Sequence, residues 1–381
     1  MVNFESIVSG IKQIYGEDRD FIPLHEPKFI GNEKKYLNDC IDSTFVSSVG
    51  PFVDEFERKM ESFTGAKHAI AVSNGTSALH LALMVANVQP GDIVVTQALS
   101  FVATANAILY TNASPYFIDV ELDTLGMSPE ALRNFLKDVE VIDNKPIHTP
   151  TGNKVGAVVP MHSFGHPARI EEIIDLCNEY NIPVVEDAAE SLGSTINGKQ
   201  TGTFGLLGAY SFNGNKTITC GGGGILVTND TELAKKAKHI STQAKIPHKW
   251  EYRHDHIGYN YRCPNINAAL ACAQLEELER FIDNKRETAQ LYKDFFKQHE
   301  ATFFTEREGT KANYWLNTLF FNSKEEQQAF LEYSNSNGVM TRPSWTLLHE
   351  LDFLSQYGRD SLKNSTFIQD RLVNIPSSVR L

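Results

Sequence analysis

The stretch Ala209–Gly224 reads AYSFNGNKTITCGGGG, and the β-branched GILVTN of 224–229 overlaps its end. A connection between two strands needs one or two turn residues. It does not need four consecutive glycines, each of which weakens a regular element by roughly 0.5–1 kcal/mol relative to alanine. The run therefore answers some other demand on the backbone. Lys216 stands just before it, and an isolated loop lysine is ordinarily a solvated charge. The surrounding sequence decides what this one does.

Outward from that stretch, from Lys67 to Asp230, short β-branched runs alternate with helical patterns. HAIAV (68–72) precedes SALHLALMVANV, IVVT (93–96) precedes VATANAILY, and SPYFIDV (114–120) follows. KVGAVVP (154–160) leads through ARIEEIIDLCNEY to IPVVEDAA (182–189), and GAYSF (208–212) leads to GILVTN and the helical TELAKKAKHI. Strands alternating with helices predict crossover connections and a largely parallel sheet. Beyond Trp250 the pattern changes. A long helix is predicted over Asn265–Gln298, then a strand over 315–321 and a helix over 325–338, which together describe a smaller α+β domain. At the other end Phe4, Ile7, Val8, Ile11, Ile14 and Tyr15 keep helical spacing, so an amphipathic docking helix is predicted there, not a secretory signal.

The 381 residues allow a large core divided between two domains. With 47 acids against 35 Lys and Arg the net charge is −12, which argues against binding nucleic acid or an anionic membrane. A phosphate-bearing ligand must then be held by a local site against that field. The five cysteines include no C-x-x-C pair, and this odd, scattered set fits reduced thiols in a cytoplasmic protein. No run of about 18 apolar residues occurs, so no membrane-spanning helix is expected.

Some patterns fail on inspection. GSTINGK (193–199) fits a P-loop until Gln200 takes the place of Ser or Thr, and Asn197-Gly198 reads more simply as a hairpin turn. His162 and His166 are four apart, but Gly165 and Pro167 oppose a helix, so they read as loop residues supporting a pocket. His254 and His256 around Asp255 are equally weak ligands, and no metal site is assigned. Glu186 and Asp187 are neighbours on a strand and point to opposite faces.

Three positions agree with one another. Ser73-Asn74-Gly75-Thr76-Ser77 follows a strand and opens a helix, where free N–H groups bind phosphate. Thr76 or Ser77 as a plain N-cap is the other reading. Asp187 ends a buried run at the carboxyl edge of a parallel sheet, where α/β proteins bind ligands, unless it is only a helix cap. Lys216 comes next. Pyridoxal phosphate needs these groups together: helix N–H donors for its phosphate, a carboxylate that keeps its ring nitrogen protonated, and a lysine for the Schiff base. Phe101 adds a ring to stack on it, or a core aromatic.

On these residues the chain resembles the DegT/DnrJ/EryC1/StrS sugar aminotransferases, of the fold-type I pyridoxal phosphate class. The similar stretches are SNGTSALHLAL (73–83), LSFVATANAI (99–108), VEDAAESLGS (185–194), YSFNGNKTITCGGGG (210–224) and GYNYRCPNINAALACAQLE (258–276). The resemblance implies an α/β fold. A large domain (1–250, with the N-terminal helical segment) would hold a mostly parallel, seven-stranded sheet flanked by helices, and 251–381 would form the smaller α+β domain. It also implies the site. Lys216 would carry the cofactor as an internal aldimine, Asp187 would pair with the pyridinium nitrogen, Gly75, Thr76 and Ser211 would bind the phosphate, and Phe101 would cover one ring face. Glu190 falls where many members have Gln or His near the phenolic oxygen. Asn260 matches the asparagine that reaches the neighbouring subunit's phosphate, so a homodimer with shared active sites is expected. In GYNYR, Tyr259 and Tyr261 face one way and Asn260 and Arg262 the other. The glycine run would let the backbone pass close to the cofactor and to a neighbouring chain.

The tracts YGEDRDFIPLHEPKFIGNE (15–33) and STFVSSVGPFVDEFE (43–57) are similar to the branch that aminates C4 of nucleotide-linked 4-keto-6-deoxy sugars. L-Glutamate would be the donor and 2-oxoglutarate the by-product. The resemblance is strongest to the legionaminic-acid pathway enzymes acting on a UDP-linked 2-acetamido-4-keto sugar, with GDP-perosamine synthases as similar neighbours. A dehydratase of the family would carry histidine in place of Lys216. A non-catalytic homologue would have no need to keep Asp187, Lys216 and the phosphate turn together. Arg342, Trp345, His349, Lys245 and His248 are offered to the sugar nucleotide, or to packing and surface.

Overall fold

Seven strands build the central sheet: β1 (His68–Val72), β2 (Ile93–Gln97), β3 (Ser114–Ile118), β4 (Asn153–Val159), β5 (Val185–Asp187), β6 (Leu207–Ser211) and β7 (Gly224–Thr228). The structure is a computed structural model that describes residues 2–16 and 19–381. The strands lie in the order β3-β2-β4-β5-β6-β7-β1, with the bridges Val158↔Val184 and Met161↔Asp187 joining β4 to β5. All run parallel except β7, which is antiparallel to both its neighbours. The strands are apolar on both sides because both faces are covered. Ala69 and Ala71 of β1 enter one layer with the helices Pro51–Thr64 and Asn265–Glu276, whereas Ile70 and Val72 enter the other with Gly75–Val85 and Thr231–Ser241. This topology brings the carboxyl ends of β1, β2, β4, β5 and β6 to one edge.

The helix expected over Asn265–Gln298 is two helices, Asn265–Glu276 and Leu278–Phe296, broken at Glu277 (φ −103°, ψ −1°). The first packs on the sheet layer through Ala268, Ala271 and Cys272, and the second turns its Ala289, Tyr292 and Phe296 to a different core. No Gly or Pro marks the break; divergent packing makes it. The amphipathic helix Phe4–Tyr15 joins that second core, burying Ile7, Val8, Ile11 and Tyr15 with Phe330, Val339 and Val373. Here a four-stranded sheet, Thr302–Phe303, Asn317–Phe320, Leu372–Ile375 and Arg342–Pro343, carries the helix Lys324–Ser336. All five cysteines are buried and free. Among the described residues no helix is long and apolar enough to cross a membrane. Asn197-Gly198 turns a hairpin, both residues at positive φ (49° and 82°).

The glycine run answers to the chain's own turn after β1. A Cβ on Gly224 would stand 2.3 Å from the Asn74 carbonyl oxygen and 2.9 Å from Gly75 N. On the far side of that turn, a Cβ on Gly75 would stand 2.7 Å from Ser211 Cβ. Of the four glycines only Gly221 takes a positive φ, +78°. Close approach of β7 to the turn, more than backbone freedom, is what Gly224 provides. Gly224→Ala is therefore expected to lose about 1–3 kcal/mol in urea denaturation through overpacking. Gly214→Ala, with no atom within 4 Å of its new Cβ, should stay within about 0.5 kcal/mol of the parent.

Candidate active site

The strand ends that meet at one edge deliver their side chains to a single cavity of about 330 Å³. Asn74, Gly75 and Thr76 follow β1, Phe101 and Thr104 follow β2, and Met161 follows β4. Asp187 ends β5 with Glu190 just beyond, and Ser211 ends β6 with Lys216 in the loop that follows. Trp315 and Trp345 come from the C-terminal part of the chain.

The turn after β1 is capped by Asn74, whose Oδ1 accepts from Ser77 N at 2.8 Å, so neither Thr76 nor Ser77 is the N-cap. Gly75 and Thr76 lie in the first helical turn, where N–H groups have no intrahelical acceptor, and both border the cavity. Asp187 is 2% exposed. Its Oδ2 accepts from the Thr104 hydroxyl at 2.7 Å and its Oδ1 from Ala189 N at 3.2 Å. Burial pushes its carboxyl above the ordinary range, while those two hydrogen bonds and the Lys216 charge pull the other way. A carboxylate offers about four acceptor positions, so half its capacity is left for a cationic N–H in the cavity.

Lys216 Nζ lies 3.2 Å from Glu190 Oε1 and 4.1 Å from the centre of the Trp315 ring. Glu190 is 1% exposed, and its Oε2 accepts from Phe164 N at 2.9 Å. Burial pushes this carboxyl up to about 7, against the opposing Lys216 charge. Phe164 holds its N–H there from a left-handed conformation (φ 56°) that costs of order 1–3 kcal/mol. Its ring stacks on Trp345 at 4.6 Å. Free helix N–H groups, a buried carboxylate with open acceptor positions and a lysine amine in one cavity fit pyridoxal phosphate.

Residues 27–381 match the DegT/DnrJ/EryC1/StrS aminotransferase family. The chain belongs to that family. Pyridoxal phosphate is the cofactor of this aminotransferase. The GDP-perosamine synthase of Escherichia coli O157:H7 is 38% identical over 343 residues, 88% of this chain and 88% of that one. The GDP-perosamine synthase of Vibrio cholerae is 37% identical over 361 residues, 93% of this chain and 94% of that one. Among solved structures, a DegT DnrJ EryC1 StrS aminotransferase from Brucella abortus superposes with a TM-score of 0.83 at 26% identity, over 91% of this chain and 90% of that one. These two relatives' names fall on the GDP-perosamine side of the family, not on the UDP-linked legionaminic-acid side expected from the N-terminal tracts.

Of the residues singled out in the sequence, Gly75, Thr76, Phe101, Asp187, Glu190, Ser211 and Lys216 line the aminotransferase's cavity. Asn260 does not; it is exposed, its Oδ1 accepting from Arg262 Nε at 3.0 Å. Tyr259 and Tyr261 stack on each other (5.0 Å) on the opposite side, against His80. Trp345 lines the cavity, whereas Arg342, His349, Lys245 and His248 do not. Glu186 points away from Asp187, accepting from Gly202, Phe204 and Gly205 N–H groups and bonding His162. Among the described residues one trio has metal-ligand spacing, His239, Asp255 and His256, on the surface away from the cavity.

Trp315 was missed. Its indole N–H donates to the Asn215 carbonyl at 2.6 Å, and its backbone N donates to Asn313 Oδ1 at 2.8 Å. Asn313, fully buried, donates in turn to the Glu190 and Leu192 carbonyls at 2.9 Å and to Thr217 Oγ1 at 3.1 Å. In the sequence Trp315 read only as the first residue of the strand predicted over 315–321; the strand itself begins at Asn317.

The buried Asp187 charge costs the fold stability. Its carboxyl is raised by burial, so keeping it ionised weakens the cofactor-free fold above the ordinary aspartate range. Asp187→Asn should leave the cofactor-free protein at least as resistant to thermal melting at neutral pH. The same change should weaken pyridoxal phosphate binding roughly 10- to 100-fold in an absorbance titration, the value of one charge-assisted hydrogen bond.

Proposed function

We propose that this aminotransferase moves an amino group from L-glutamate to C4 of a GDP-linked 4-keto-6-deoxymannose. The observation that carries the reading is the convergence of Lys216, Asp187 and the Gly75–Thr76 turn on one cavity. The GDP-linked sugar rests on the two GDP-perosamine synthases, each similar over most of its length. It takes precedence over the UDP-linked 2-acetamido sugar suggested by residues 15–57.

Bound pyridoxal phosphate supplies a carbonyl that accepts amines and a ring that stores electrons. The chain's own groups do the rest. Asp187 would accept from the ring nitrogen, and the Gly75 and Thr76 N–H groups with Ser211 would hold the phosphate at a helix N-terminus. Phe101, half exposed at the mouth, would cover one ring face. Lys216 would hold the cofactor between turnovers, and its freed amine would take and return the proton at the donor's Cα. Glutamate leaves as 2-oxoglutarate in the first half, and the keto sugar takes the nitrogen in the second.

Asn260 faces away from its own cavity, on a segment next to the Lys245–Ile246/Arg253–His254 hairpin, where Trp250, Tyr252 and Ile257 are exposed. We assign it to the phosphate of a second copy, in a homodimer with shared sites working in the cytoplasm on soluble sugar nucleotides.

With glutamate as donor, GDP-4-keto-6-deoxymannose should be aminated at least about tenfold faster than a UDP-linked 4-keto sugar, a difference of roughly 1.4 kcal/mol in transition-state binding. Equal or reversed rates would overturn the GDP assignment. Lys216→Ala should abolish turnover with either substrate, and an active Lys216→Ala protein would remove the lysine from its role.

A further inference from the structure

Glu190 is a buried acid that none of the roles above requires. Its two oxygens are placed differently. Oε2 is fixed by the Phe164 N–H, whereas among the described residues Oε1 meets only Lys216 Nζ, at 3.2 Å. Asn313 holds both ends of this pair, through the Glu190 carbonyl and through Thr217, the residue after the lysine. The Trp315 ring faces Nζ at 4.1 Å, and its indole N–H pins Asn215, the residue before. The carboxyl and the amine are therefore set in fixed register, with few ways to compensate when one changes charge.

We propose that Glu190 is the proton-holding partner of Lys216: Oε1 takes the proton from Nζ when the lysine gives up its charge and returns it when the charge is restored. One N–H bond breaks and one O–H bond forms along an existing hydrogen bond, with no other reactant. The inference rests on Lys216 being the residue that bears the cofactor, since that bond removes the free ammonium from beside Glu190.

The charged surroundings leave Lys216 as the controlling group. Asp187 is the other carboxylate acting on Glu190, and it opposes ionisation. His25, half-buried with both ring nitrogens shielded, is pushed well below the ordinary histidine range by desolvation and by the Lys285 and Lys216 charges. Lys285 is occupied by the Trp315 and Ser377 carbonyls. The sign follows. With Lys216 charged, the carboxyl sits at about 7, lowered by that cation from where burial alone would put it. Removing the cation leaves burial and Asp187 opposed only by the Phe164 N–H, so the carboxyl moves upward and takes a proton near neutral pH.

The test is a carboxyl-carbon NMR titration of the full chain labelled at glutamate, with the Glu190 signal identified by its loss in Glu190→Gln. In cofactor-free wild-type protein the midpoint should lie near 7. Both Lys216→Met and loading of the wild type with pyridoxal phosphate should raise it by at least about one unit, the usual effect of losing one close opposite charge. A parallel borohydride reduction reports by mass whether Lys216 carries the cofactor. A tagged Lys216 with an unmoved Glu190 midpoint overturns this inference. An untagged Lys216 overturns the functional reading beneath it, and Lys216→Met then still decides whether the pair exchanges its proton. The loading arm needs no substitution, so a variant that fails to fold does not remove the test.

Discussion

Two carboxylates and a lysine share one desolvated cavity, and the rest of the structure depends on keeping their charges there. Burial alone drives a carboxyl toward its neutral form, and at Asp187 and Glu190 that drive is visible. It is opposed by a few well-aimed donors: the Thr104 hydroxyl, the Ala189 N–H and the Phe164 N–H. Each donor belongs to a different segment at the carboxyl edge of the sheet: Thr104 to the helix after β2, Phe164 to the turn after β4 and Ala189 to the loop after β5. The parallel topology is what brings those segments together, and the tight packing of Gly224 and Gly75 holds the turn after β1 in its place.

A second layer of support comes from far along the chain. Asn313 and Trp315 belong to the C-terminal part, yet they bond directly to the Glu190 and Asn215 carbonyls and to the Thr217 hydroxyl, around Lys216 and Glu190. Lys285 reinforces this from behind, burying an ammonium against the Trp315 and Ser377 carbonyls, which pushes it down to about 7. Such contacts couple the position of the C-terminal part to the geometry at the lysine. Glu190 is where that coupling meets chemistry.

Much of this was legible in the sequence, and the reasons are physical. The β1-to-β7 pattern survives because strands buried on both faces must be apolar throughout, and the order of turn, Asp187 and Lys216 follows from one strand edge per element. Glu186 and Asp187 were separable by strand alternation alone. The break at Glu277 was not legible, because helix propensity is continuous there and divergent packing decides. Asn74 as the cap was overlooked in favour of its neighbours, although Asn is a strong N-cap residue. Trp315 and Asn313 were invisible because their partners are about a hundred residues away, and no local pattern records such contacts. Which nucleotide is recognised was also poorly legible, and there similarity to whole relatives outweighed the N-terminal tracts.

A crystal structure of the protein grown with pyridoxal 5′-phosphate tests the central claim most directly. The prediction is density continuous with Lys216 Nζ, a phosphate on the Gly75 and Thr76 N–H groups, and the ring nitrogen within about 2.7–3.2 Å of an Asp187 oxygen. A cofactor joined to another lysine, or a ring nitrogen that meets no Asp187 oxygen, would contradict it.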